Sequence, residues 1–147
     1  MSEQIQMDFV ESRDIFLSIR PDFANLIASR EKTYEFRRYN PKDKIKRIWL
    51  YVTSPDSELK YIAEVGDVVE YPNQIPAKGI GNADFNQGLK VSKFAFPILH
   101  LDELVEGVSL NRLRAEFNFS PPQGYIYTDT FPELLKYVKS CKMRRLY

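Results

Sequence analysis

One cysteine and one histidine stand among the 147 residues, and each scarcity excludes something. A lone Cys141 rules out an intrachain disulfide and a cysteine-built metal centre. A lone His100 rules out the usual histidine-rich metal clusters. No apolar run approaches the roughly 20 residues a membrane helix needs, so no membrane association is expected. Met1–Gln6 is polar and lacks the apolar core of a signal peptide, so the expected location is cytoplasmic. Net charge is also small, because 21 Lys and Arg nearly balance 20 Asp and Glu. The net charge of +1 argues against a protein that coats nucleic acid by charge alone. There is no Gly-x-Ser-x-Gly, no P-loop and no His-Glu-x-x-His, and the pattern implies no cofactor and no metal. Gly79-x-Gly81 lacks the third glycine and the preceding strand of a dinucleotide site.

What is present describes a folded domain. Hydrophobic residues make up 44% of the chain and aromatics 14%, enough for one substantial core and too much for disorder. Charges are unevenly placed. Arg37–Arg47 carries six cations against Asp43, and a second basic stretch spans Lys136–Arg145, whereas acids gather in Asp56–Glu70 and Asp102–Glu106. Such runs are either solvated faces or local contacts for a phosphate-bearing ligand.

Residues 1–14 show no period and read as a flexible arm; residues 15–147 read as one domain. Ile15–Ile19 is a short apolar run, consistent with a buried strand. Pro21 suits the first position of a helix, where its missing N–H is not needed, and Phe23, Leu26 and Ile27 share one face of that helix. Thr33–Arg38 and Arg47–Thr53 read as strands, and Lys60–Tyr71 as a longer one bent at Gly66. Pro72–Gly88 is rich in Pro, Gly and Asn and reads as a long loop with a helical turn near Ala83–Gln87; loops of that length in small domains are often functional. Lys93–Leu101 is a strand, with His100 near its end. Ser109 is placed to cap a short helix within Leu104–Phe117. Gly124–Thr128 is a short aromatic strand carrying Tyr125, Ile126 and Tyr127. Thr130-x-x-Glu133 has the form of a capping box opening a last helix, with Leu134, Leu135, Val138 and Cys141 inward. The expected fold class is α+β, with about five or six strands and flanking helices.

The most unusual chemistry lies in Lys32, Glu35 and Arg37. On an extended strand Glu35 and Arg37 share a face with Thr33, and Lys32, at the helix-to-strand turn, can swing to the same side. Glu35 between two cations is expected to stay ionised and to hold them toward a phosphate or a base edge, with Arg20 at the preceding strand end joining them. The competing reading is a salt-bridge set that blocks edge pairing of a sheet.

Leu17-Ser18-Ile19-Arg20-Pro21, an apolar helix, and then Lys32-x-x-Glu35-x-Arg37 resemble the ASCH domain, whose motif is Gly-x-Lys-x-x-Glu-x-Arg. Trp49–Pro55 and Ala63–Gly66 fit the same pattern, so the resemblance covers Ile15–Tyr71 well and the rest loosely. Arg30 replaces the motif glycine. The resemblance implies a small PUA-like β-barrel and a cleft beside the first helix, lined by the Lys, Glu and Arg. It implies an RNA or nucleotide-like ligand, bound by Arg20, Lys32, Glu35, Arg37, Tyr51, Ser54 and Tyr125, with Tyr51, Tyr125 or Tyr127 stacking a base. Some family members are nucleases or amidohydrolases of acetylated cytidine, which makes an enzyme on RNA or on a modified nucleoside the alternative, with Lys32 as base or nucleophile and Glu35 as its acid–base partner. The amidohydrolases place a threonine three residues after the lysine. Here that position is Glu35, which counts against that reaction. Glu35 and Glu64 are the carboxylates a metal-dependent cleavage would call on.

Overall fold

The computed structural model describes residues 12–147. The arm expected over 1–14 lies outside those residues up to position 11, and Ser12–Asp14 already belong to the first strand. In chain order the elements are β1 (Ser12–Ile19), α1 (Pro21–Ala28), β2 (Tyr34–Arg37), β3 (Lys44–Val52), β4 (Glu58–Val65), β5 (Val69–Glu70), α2 (Asn82–Asn86), β6 (Phe94–Ser109), α3 (Leu110–Phe117), β7 (Ile126–Tyr127), a 3-10 turn (Thr128–Thr130), α4 (Pro132–Ser140) and β8 (Met143–Arg145). The fold is α+β: a curled half-barrel sheet with the strand path β2-β6-β4-β3-β1-β7, flanked by four helices. β5 and β8 also pair with β6. Among the described strands, β1 and β3 run parallel and the other pairs are antiparallel. No described helix is long and apolar enough to cross a membrane.

Two-sided burial explains the near-continuous apolar runs of β1 and β3. Ile15, Leu17 and Ile19 on β1, with Ile48, Leu50 and Val52 on β3, point into one core with Ala24 and Ile27 of α1. Phe16, Trp49 and Tyr51 alternate to the other face, where Leu113 of α3 and Leu134 and Val138 of α4 cover them. A third, small cluster of Ile75, Phe85 and Ala95 anchors the 72–93 loop against Tyr34 and Phe36 of β2.

Sixteen-residue β6 is the bent spine of the sheet. Its Phe94–Pro97 end pairs with β2 and its later part with β4. It runs through to Ser109, well past the Leu101 expected from sequence, and places His100 in mid-strand opposite Glu64. Ser109 does cap α3, its Oγ accepting from Arg112 N at 3.2 Å. The long strand expected over 60–71 is instead two, β4 and β5. Gly66 sits where the chain leaves β4, and a Cβ there would press on Pro97 at 3.1 Å. The capping box at Thr130 does not form either. Thr130 lies in the 3-10 turn, Phe131 precedes the helix without a side-chain cap, and Pro132 takes the first turn of α4. Cys141 sits at the end of α4 against the second core, its Sγ donating to Tyr137 O.

Candidate functional site

The turn from α1 to β2 fixes the position of Lys32. Arg30 adopts φ +68, a left-handed conformation that glycine takes freely and other residues take at a cost. Arg30 thus keeps the backbone shape that the motif glycine would supply. Its guanidinium does not join the site but lies 4.5 Å over the ring of Tyr147. Lys32 N then donates back to Leu26 O at 3.0 Å, so the residue follows the helix end closely.

β2 orders the other two members. Its register opposite β6 pairs Glu35 with Phe96 and Arg37 with Phe94. Lys32 Nζ stands 3.3 Å from Glu35 Oε1. Arg37 Nε donates to Glu35 Oε2 at 2.8 Å, and its Nη2 lies 2.6 Å from the same oxygen. Arg37 Nη2 also donates to Ser18 O on β1 at 3.0 Å, joining β2 to the strand across the opening of the curl. Lys32 also donates to Tyr34 O. The three expected residues therefore converge. Lys32 and Glu35 are 5% and 6% exposed, which separates them from an ordinary solvated edge-strand ion pair.

A cleft of about 160 Å³ opens on this set, lined by Phe23, Lys32, Glu35, Phe36, Lys90 and Ser92. Lys32 and Lys90 each hold an ammonium 4.6 Å from the centre of the Phe36 ring. A larger cavity of about 530 Å³ lies by Arg30, Thr33 and Ile80, and one of about 200 Å³ by Asn40–Ile45. Neither is lined by Lys32 or Glu35, the buried charged pair, so volume does not mark the chemistry here.

Burial pushes the Lys32 ammonium below its ordinary pKa; attraction to Glu35 opposes the shift, and repulsion from Lys90 and Arg37 adds to it. Burial also acts to lower Arg37, but its attraction to Glu35 and its proximity to Tyr39 leave it raised. Burial raises Tyr39 against the pull of Arg37. The Tyr39 hydroxyl is buried with no hydrogen-bond partner among the described residues.

The remaining expected residues are placed less favourably. Arg20 is exposed, paired with Asp22 at 2.7 Å and stacked 4.9 Å over Phe23, so it reaches the mouth of the cleft and not the Glu35 cluster. Tyr51 was expected to stack a base. It is 3% exposed in the second core, beneath the α3–α4 layer, and offers no face to a ligand. Ser54 is exposed in the turn after β3, with no side-chain hydrogen bond among the described residues. Tyr125 is half-buried against Tyr39 and Tyr127, with ring centres 5.3 and 5.6 Å away. One face of Tyr127 is covered by Arg13, 3.5 Å from its ring centre. Glu64 lines a separate cavity with Lys44 and Lys46, and both Glu35 oxygens are held by cations. Among the described residues no group of three or more His, Cys, Asp or Glu gathers for a metal.

Sequence reasoning passed over Phe23, Phe36, Lys90 and Ser92. Phe23, expected to share one helical face with Leu26 and Ile27, is 37% exposed at the cleft while Ala24 and Ile27 take the core. Lys90 and Ser92 lie just past the loop expected over Pro72–Gly88 and before the strand expected from Lys93, so neither reading included them.

No protein-family model matches the chain. It is 28% identical over 128 residues to an ASCH domain-containing ribonuclease of Zymomonas mobilis, covering 80% of this chain and 85% of that protein. The crystal structure of ASCH from Zymomonas mobilis superposes with a TM-score of 0.66 at 24% identity, over 88% of this chain and 96% of that one. A tyrosine-to-phenylalanine mutant of it gives 0.69 at 23% identity, over 88% and 99%. At these identities the structural match is one of fold. Lys32, Glu35 and Arg37 converge beside α1 of this sheet, and the chain is similar in sequence to the Zymomonas ASCH domain-containing ribonuclease and in fold to the Zymomonas ASCH structures.

Proposed function

We propose that the protein binds and cleaves single-stranded RNA at the Lys32–Glu35–Arg37 cleft. The observation that carries the reading is a buried lysine with a lowered pKa opening onto a cationic, aromatic-edged cleft, in a chain related to a ribonuclease. An ionised carboxylate beside a lysine ordinarily opposes its use as a base. Here desolvation outweighs that attraction. Neutral Lys32 Nζ then accepts the proton of an RNA 2′-hydroxyl. The freed oxygen forms a bond to phosphorus, the bond to the 5′ oxygen breaks, and that oxygen takes a proton from water. The products are a cyclic 2′,3′-phosphate end and a 5′-hydroxyl end.

Glu35 is the positioning group, because its two oxygens hold Lys32 on one side and Arg37 on the other. Phe23, exposed at the rim and backed by Arg20, offers the face on which an unpaired base stacks. Exposed Arg38, Lys42 and Lys46 extend the backbone contact beyond the cleft.

Incubation of a labelled oligoribonucleotide with wild-type protein and with Lys32→Met, with and without a chelator, tests the reading. Cleavage by wild type that is lost in K32M is the expected result. Salt-sensitive binding without cleavage would leave the site a binding module. Neither binding nor cleavage at low salt would reject RNA as the ligand.

A further inference from the structure

Phe23, Lys32, Glu35 and Phe36 form only one wall of the cleft, with Arg37 holding Glu35 from behind. The facing wall comes from the 72–93 loop, held to β2 by a fully buried side chain. Asn82 Nδ2 lies 2.9 Å from both Pro76 O and Lys78 O, and 3.3 Å from Thr33 Oγ1 at the head of β2. Ile80 N donates to Glu31 O at 3.0 Å. Further on, Lys93 Nζ donates to Gly88 O at 3.1 Å and to Lys90 O, while lying 5.0 Å over the Tyr71 ring. A second lysine is thereby spent on the turn that presents Lys90.

Lys90 itself is seated. Its ammonium faces the Phe36 ring that Lys32 also faces, and a Cβ on Gly81 would come within 2.9 Å of Lys90 Cε. Gly81, at φ +84, therefore leaves the space the lysine occupies. Among the described residues Lys90 has no carboxylate partner within 4.0 Å, unlike Lys32 and Arg37. With Lys32, Arg37 and Lys90 counted as charged against the single carboxylate of Glu35, the excess is two positive charges, which favours an anionic group in the cleft. A lysine needing only water would require neither the ring seat nor the two anchors.

We infer that Lys90 is the ligand for the substrate's phosphate, and that Lys93 and Asn82 are positioning residues that hold the 72–93 loop so that Lys90 reaches it. This rests on the cleft being the RNA site, but its test does not need turnover. Lys90 also repels the Lys32 proton, which gives its removal a second signature.

The full chain is titrated with inorganic phosphate and followed by NMR, for wild type, Lys90→Gln, Lys93→Met, Lys93→Arg and, as a second obstruction of the Lys90 seat, Gly81→Ala. Lys142→Gln serves as the charge control. Phosphate is expected to perturb residues 32–37 and 90–92 in wild type and in K142Q. K90Q should weaken the affinity about tenfold, the effect of losing one charge-assisted contact. K93M and G81A should weaken it too, with K93R recovering part of the loss. The Lys32 side-chain resonance should titrate at higher pH in K90Q than in wild type. No phosphate binding by wild type, or equal affinity in wild type and K90Q, overturns the inference. Lys90-dependent phosphate binding without RNA cleavage would uphold it and reject the ribonuclease reading; cleavage by wild type with phosphate binding indifferent to Lys90 would do the reverse.

Discussion

Lys32 Nζ lies 3.3 Å from Glu35 Oε1, both side chains are buried, and still the lysine holds its proton less tightly than it would in water. Burial disfavours the charged form more than one carboxylate restores it, because the same carboxylate is shared with Arg37 and because Lys90 stands nearby. The lysine is thus easier to deprotonate than a solvated one, while Glu35 stays within 3.3 Å to position it.

That bias sets a pH dependence. RNA cleavage should rise with pH along a limb lying below the ordinary lysine value of 10.5. Stability carries the same sign. Between the lowered value and 10.5 the unfolded chain binds this proton and the folded chain does not, so the Lys32 contribution to stability grows as pH rises through that window. Rates on an oligoribonucleotide, and urea midpoints over the same range, measure the two. A flat alkaline profile would contradict the assignment of Lys32 as base.

Removal of Glu35 should destabilise the fold. Glu35→Ala leaves Lys32 buried and Arg37 held only by Ser18 O among the contacts described for it. Breaking a buried ion pair from one side costs about 3–5 kcal/mol. Denaturant melts of E35A against wild type check the magnitude. The gentler Glu35→Gln, which retains an oxygen acceptor, is expected to lose less.

Arg30 offers a test of the turn itself. At φ +68, Arg30→Val forces a β-branched side chain into the left-handed region and should lower stability by about 1–2 kcal/mol. Arg30→Gly relieves the conformation while giving up the stack on Tyr147, so it should stay close to wild type. A thermal shift of equal size in both variants would show that the backbone conformation is not what matters.

Phe23 and Tyr51 should behave oppositely. Phe23→Ala removes an exposed ring at the cleft, and RNA affinity should fall by about 1–3 kcal/mol, the worth of one stacked base, with little change in melting temperature. Tyr51→Ala removes a ring from the second core and should cost stability of about 3 kcal/mol or more, with RNA affinity of the folded fraction retained. Fluorescence anisotropy on short single-stranded RNA, paired with a melt for each variant, separates the two effects.

Local spacing was enough to bring Lys32, Glu35 and Arg37 together, because a lysine at the end of one turn and two residues of one strand face are neighbours under almost any packing. The same holds for Pro21 opening α1 and Ser109 capping α3, which depend only on adjacent backbone. Tyr51 shows where such reasoning stops. Alternation along β3 separates two faces but does not say whether the second meets solvent or another layer, and α3 and α4, far along the chain, cover it. A helical face shared by Phe23, Leu26 and Ile27 does not reveal which of them the sheet has room for, and Phe23 is left at the cleft. That Lys90 and Glu35 line one cleft could not be read from sequence at all. Their meeting depends on Asn82 and Lys93 tying a long loop back to β2, and contacts between distant segments are decided only when the chain has closed on itself.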